Sequence, residues 1–137
     1  MHPPLDRVDH VHVFVSDRAA AERWYGRVLG LSVVPALRVW AADGGPLTLA
    51  DASGSVHLAL FEKTAQPCRS TIAFGVSAAA FAAWRAHLER ALERAFEPTD
   101  HDGLARSLYF ADPDGNPYEI TTYQHGAAPR LPEAAAR

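Results

Sequence analysis

Hydrophobic and polar positions alternate from Val8 to Val15. Val11, Val13 and Val15 fall on one face and His10, His12 and Phe14 on the other, which predicts an opening strand with a single core-facing side. Ser16-Asp17 offers an N-cap. Ala20, Ala21, Trp24, Tyr25, Val28 and Leu29 then recur at helical spacing until Gly30, a residue suited to a left-handed stop, so a helix of about 12 residues is expected. Leu31 to Trp40 and Leu47 to Ala50 read as strands separated by the turn Asp43-Gly44-Gly45-Pro46, and the turn Ser53-Gly54 opens a further strand from Val56 to Phe61.

Residues 62–69 carry no periodic apolar face and include Pro67, so they read as a connector, after which the pattern repeats. Thr71 to Val76 is a short strand, Ser77 an N-cap, and Ala80, Phe81, Trp84, Leu88, Ala91 and Leu92 a helical stripe. Strands follow at about 104–111 and 117–123, joined by the turn Asp112-Pro113-Asp114-Gly115-Asn116. Val15-Ser16 and a helix with Trp24 match Val76-Ser77 and a helix with Trp84, a period of about 60 residues, longer than a solenoid unit. The expected fold is α+β, two tandem β-α-β-β-β modules at about 7–62 and 70–124, whose curved mixed sheet surrounds a cup-shaped site. They form one domain over residues 1–125. The Ala- and Pro-rich residues 126–137 are expected to be a disordered tail.

In this superposition His10 corresponds to Thr71, and His57 is expected opposite Glu119. If each helix covers one side of its sheet, His10, His12, His57, Thr71, Tyr109, Glu119 and Tyr123 all point the other way, into the cup.

Composition narrows the chemistry that such a cup could hold. A 137-residue chain is long enough for one ordinary core. The single Cys68 excludes an internal disulfide or a multi-cysteine zinc site, whereas seven histidines leave room for a metal bound by nitrogen and oxygen. Lys63 is the sole lysine, the arginines are scattered and the net charge is −3, so a nucleic-acid surface has no footprint. With neither a membrane-length apolar run nor a signal-peptide pattern, the expectation is a cytoplasmic protein acting on a small molecule. Two histidines and a glutamate in mid-strand are costly unless paired or holding a cation. His10, His57 and Glu119 would make a two-histidine, one-carboxylate site with open positions for substrate and water; the alternative is an ordinary solvated sheet face.

Asp9-His10-Val11, Asp17, the segment Trp24-Tyr25-Gly26-Arg27-Val28-Leu29-Gly30-Leu31 and the run Leu108 to Ile120, containing Asp112-Pro113-Asp114-Gly115-Asn116-Pro117-Tyr118-Glu119, together resemble the vicinal oxygen chelate superfamily. That family includes glyoxalase I, fosfomycin-resistance proteins, extradiol dioxygenases and bleomycin-resistance proteins, and the resemblance spans about residues 7–124. It implies a divalent cation (iron, manganese, zinc or nickel) on His10 and Glu119. Thr71 stands where many members have a third ligand, and His57 is matched to the first-half ligand of glyoxalase I. It further implies Tyr109 as a catalytic group and His101 as a substrate contact; from the cup itself His12 is the other expected catalytic group, and Phe14, Trp40, Thr71 and Tyr123 are expected to contact the substrate. The activity implied is dioxygenase-like or lyase/isomerase chemistry on vicinal oxygens, in a homodimer. A metal-free protein that sequesters a drug or metabolite is the alternative, which Thr71 favours. The Ala and Arg content suggests a GC-rich bacterial source.

Overall fold

The structure is a computed structural model and describes residues 2–64 and 66–123. It comprises two compact units that divide after Cys68. The tail expected at 126–137 lies outside the described residues.

The first unit runs β1 (Val11–Val15), α1 (Arg18–Leu29), β2 (Ser32–Val33), a 3-10 helix (Pro35–Ala41), β3 (Leu47–Ala50) and β4 (His57–Glu62). Its sheet has the order β1-β4-β3-β2, with β1 parallel to β4 and the other pairs antiparallel. The second unit runs β5 (Ile72–Gly75), α2 (Ala78–Ala91), β6 (Thr99–His101), β7 (Ala105–Ala111) and β8 (Pro117–Thr122), in the corresponding order β5-β8-β7-β6. Each unit is therefore a β-α-β-β-β module. No helix among the described residues is long and apolar enough to cross a membrane.

Local signals account for both helices. The Asp17 carboxylate accepts the Ala20 N–H at 2.9 Å and Gly30 closes α1 at φ 68°, while Ala21, Trp24, Tyr25, Val28 and Leu29 are buried. Ser77 caps α2 through the Ala80 N–H at 3.2 Å, and Phe81 and Leu88 are its buried residues. Val13, Val15, Leu58 and Leu60 are buried in the first unit, and Leu108, Phe110, Tyr118 and Ile120 in the second, where Tyr118 stacks between Phe74 and Phe110 at 5.9 and 5.7 Å. Burying each such side chain stabilises by about 1.5–3 kcal/mol. Period-2 alternation thus leaves the other face of each sheet to His10, His12, His57, Tyr109 and Glu119.

The structure corrects four details. The opening strand begins at Val11, and Val8 is exposed. The stretch Leu31 to Trp40 holds only a two-residue strand; Pro35, which has no N–H for a ladder and a φ suited to a first helical position, turns the rest into the 3-10 helix. The polar segment Thr99-Asp100-His101, which its composition predicts as part of a loop over 99–103, is a strand, paired with β7 through a turn in which Asp102 and Gly103 both have positive φ, 54° and 70°. Exposed on all three residues, it has no alternation to betray it.

The fourth correction concerns register. In the first unit Ala59 lies between His12 and Thr48, and in the second Glu119 lies between Ala73 and Tyr109. Ala59, not His57, thus occupies the position of Glu119, and His57 matches Pro117. The cause is one additional residue in the first hairpin: the Asp51 N–H reaches the Val56 carbonyl, whereas the Asp112 N–H reaches that of Asn116.

Candidate functional site

The non-helical face of the first sheet carries three imidazoles, His12 beside His10 and His57 across one cavity from it. His10, immediately before β1, would continue the parallel register opposite His57, and one cavity of about 200 Å³ is lined by Asp9, His10, Leu37, Trp40, Pro46, Thr48, His57 and Ala59. Its walls mix apolar side chains with a few polar groups, the make-up of a small-molecule site. The 3-10 helix supplies Leu37 and Trp40. Arg18 ties this segment to α1, its guanidinium donating to the Ala41 carbonyl at 3.0 Å and the Gly45 carbonyl at 2.6 Å.

His10 and His12 have defined partners. The Asp9 carboxylate can only accept, so His10 Nδ1–H donates to Asp9 Oδ2 at 2.9 Å, which directs Nε2 the other way and, in a neutral ring, leaves it without a hydrogen. That Nε2 lies 3.1 Å from His12 Nε2, and the two rings stack with centroids 5.1 Å apart. The hydrogen bond from His10, and secondarily that from Arg7, holds the Asp9 carboxyl below the usual carboxylate range. His12 also packs against Phe61 at 4.8 Å. Phe14 meets Phe61 edge-on and lies under the Lys63 ammonium.

The second unit presents a continuous polar network on its own non-helical face. Ser107, fully buried in β7, donates to Glu119 Oε1 at 2.5 Å and lies 3.0 Å from Thr121 Oγ1. His101 Nε2 is 3.2 Å from Ser107 Oγ and 3.2 Å from the Tyr109 hydroxyl. Tyr109 is largely exposed, so its hydroxyl is available to a bound molecule, and Tyr123 is exposed just beyond β8. Thr71 is exposed ahead of β5.

Of the residues expected at the site, His10, His57 and Trp40 line one cavity with His12 beside His10; His101, Tyr109 and Glu119 belong to one network in the second unit. Phe14, Thr71 and Tyr123 enter neither group. Among the described residues no three His, Cys, Asp or Glu side chains form a ready-made metal cluster. Asp9, Ser107 and Thr121 join these groups although the sequence pattern does not predict them as site residues. Asp9 could have been found from its adjacency to His10, whereas Ser107 is recognisable only once β7 and β8 are in register.

Comparison with known proteins identifies the class. The sequence profile of the Glyoxalase/Bleomycin resistance protein/Dioxygenase superfamily matches residues 7–120, and the chain belongs to this family. No curated protein matches the chain. Among solved structures, a virulence protein from Salmonella typhimurium is 24% identical over 88% of this chain and 99% of its own, with a TM-score of 0.65. A glyoxalase/dioxygenase from Nostoc punctiforme is 21% identical over 90% and 98%, with a TM-score of 0.63. A fosfomycin resistance protein variant from Listeria monocytogenes, complexed with Mn(II) and 1S,2S-dihydroxypropylphosphonic acid, is 13% identical over 90% and 94%, with a TM-score of 0.62. These likenesses establish a shared fold.

Proposed function

We propose that the chain is a metal-dependent enzyme of the vicinal oxygen chelate type, acting on a small molecule with two adjacent oxygens. The observation that carries this reading is the pair of imidazole Nε2 atoms 3.1 Å apart, one of them on a ring whose other nitrogen is held by Asp9. Two donors about 2.1 Å from one ion and at right angles to each other would stand about 3 Å apart, so the pair suits a single divalent cation. A carboxylate behind a ligating imidazole is the usual way of fixing its tautomer and raising its basicity.

The donor set proposed is His10 and Glu119 with a second imidazole, either His12 or His57. His12 has the closer nitrogen, and His57 shares the cavity with His10. The Mn(II) in the fosfomycin resistance protein supports a divalent cation here, with iron, manganese, zinc and nickel all compatible with nitrogen and carboxylate donors. Bound there, the cation would supply Lewis acidity to the substrate's adjacent oxygens. The chain's own groups would do the rest: Trp40, Leu37 and Thr48 orient the substrate in the cavity, and Tyr109 and whichever of His12 and His57 is not a ligand exchange protons with it. The reaction is of the dioxygenase or the lyase/isomerase kind, in a cytoplasmic homodimer.

Elemental analysis of untagged protein, followed by calorimetric titration with Mn(II), Fe(II), Zn(II) and Ni(II), tests this. One equivalent per chain is expected, lost in His10→Ala and Glu119→Ala. His12→Ala and His57→Ala then identify the second imidazole, and light scattering reports the homodimer. Wild-type protein that takes up none of the four metals overturns the reading.

A second reading, a metal-free protein that sequesters a drug or metabolite, is favoured by Thr71 and Ala59. Neither residue can replace an imidazole or carboxylate ligand at the two positions where family members draw one. Binding of small aromatic compounds in the presence of chelator, quenching Trp40 fluorescence, is its expected signature.

A further inference from the structure

Proton counting around Ser107 assigns hydrogen positions that the heavy atoms alone leave open. As a carboxylate, Glu119 can only accept, and its contact with Ser107 Oγ, at 2.5 Å, therefore consumes the single proton of that hydroxyl. Ser107 Oγ then has only lone pairs to offer His101 Nε2 at 3.2 Å, which must therefore donate; Thr121 Oγ1, 3.0 Å from Ser107 Oγ, has the Arg106 carbonyl at 3.3 Å as a further acceptor for its one proton and sets no condition on His101. His101 Nε2 consequently carries a hydrogen, shared between Ser107 Oγ and the Tyr109 hydroxyl oxygen, also at 3.2 Å. Tyr109 is an acceptor in that contact, and its phenolic proton is directed elsewhere. Ser107 is completely buried while Tyr109 is exposed, so the hydrogen-bonded series runs from a buried serine to an accessible hydroxyl.

We propose that Ser107 and His101 are positioning residues. Ser107 locks the rotamer of Glu119 and, through the Nε2–H tautomer that it imposes on His101, makes Tyr109 a hydrogen-bond donor toward the bound molecule. The effect on cation affinity rests on the functional reading above; the tautomer assignment does not.

Long-range proton–nitrogen NMR on the 15N-labelled, metal-free full chain, at a pH about 1.5 units above the ordinary imidazole pKa, reads the tautomer directly. His101→Gln identifies the signal. Wild type is expected to show His101 protonated at Nε2. In Ser107→Ala the hydroxyl acceptor is gone, Nε2 becomes free to accept from Tyr109, and the proton is expected to move to Nδ1. Ser107→Thr, which keeps the hydroxyl, and Tyr109→Phe, which removes the competing donor, are both expected to retain Nε2–H. A merely structural serine would leave the tautomer unchanged on truncation, and that result, or an Nδ1–H ring in wild type, overturns the proposal. Cation titration of Ser107→Ala is expected to show a 10- to 100-fold weaker site, restored in Ser107→Thr. Unchanged affinity refutes the role of Ser107 in holding Glu119. Failure of wild type to bind any cation, with the tautomers as expected, instead refutes the metal-dependent reading and leaves the relay intact.

Discussion

His10 and His12 bring their Nε2 atoms to 3.1 Å although the residues are two apart along one chain segment. Backbone spacing of roughly 6–7 Å argues against such a meeting. It occurs because His10 precedes the first ladder residue, Val11, so its backbone is outside the ladder, and because the ring is pulled over by Asp9 on the far side. The separation is that of two ligands on one ion, and equally that of one imidazole donating to another when no ion is present.

The orientation of His10 therefore depends on Asp9. Asp9→Asn, which keeps the volume and removes the charge, is expected to weaken cation binding 10- to 100-fold while leaving the thermal midpoint nearly unchanged, since Asp9 is exposed. Calorimetric titration beside a thermal melt checks both halves of the expectation. A large loss of stability with unchanged affinity would assign Asp9 a structural role.

Gly45 fixes the cavity rim. A Cβ built on Gly45 would run into the carbonyl oxygen of Trp40, and the Arg18 guanidinium holds the Gly45 carbonyl from the other side, so the loop has no direction in which to relax. Gly45→Ala is expected to cost on the order of 1–3 kcal/mol and to displace Trp40 from the cavity. Urea denaturation measures the first effect, and a changed tryptophan emission in the folded protein reports the second.

Much of this architecture is legible in the sequence because its signals are local. Alternation in Val11–Val15, the cap at Asp17, the stop at Gly30 and the Asp112-to-Asn116 turn each depend on residues within a few positions of one another. What sequence misplaces depends on pairing. The equivalence of Ala59 with Glu119 turns on one additional residue in a loop, and a polar edge strand such as Thr99–His101 buries nothing that would mark it. Candidate site residues stand out where a histidine, a glutamate or an aromatic residue interrupts an apolar pattern. Ser107 does not stand out, because serine is unremarkable on a strand until its neighbours across the sheet are known.

The Asp112-to-Asn116 segment, the most distinctive motif of the chain, is a folding element. Asp112 Oδ1 accepts the backbone N–H groups of Asp114 and Asn116 at 3.0 and 2.8 Å, and Oδ2 accepts the Asn116 amide at 2.8 Å; both side chains are buried. Truncating one partner strands buried polar groups of the other, so Asn116→Ala is expected to destabilise by about 1–3 kcal/mol. Below its unfolding transition the variant should bind cation like wild type, because Glu119 is held from the other strand by Ser107. Chemical denaturation and a low-temperature titration separate the two effects.

Asp51 plays the matching part in the first hairpin, and its protonation gives a pH signature. Its carboxylate accepts from the Ser53 hydroxyl, from the Val56 N–H at 2.9 Å and from the Ser55 hydroxyl at 3.3 Å, so it holds the residue by which this turn exceeds its counterpart. The Ser53 hydrogen bond, reinforced by that of Val56, lowers the Asp51 pKa from 3.8 to about 2. A carboxyl whose folded pKa is depressed contributes stability that is fully present above its unfolded value and is lost as pH falls through the folded one. The difference in thermal midpoint between wild type and Asp51→Asn should therefore be constant from neutrality down to about pH 5 and shrink steadily toward pH 2. Other acids, including Asp9 and Glu89, titrate in both proteins and cancel in the difference. A difference that stays flat across this interval would show that Asp51 acts through the shape of the turn and not through its charge.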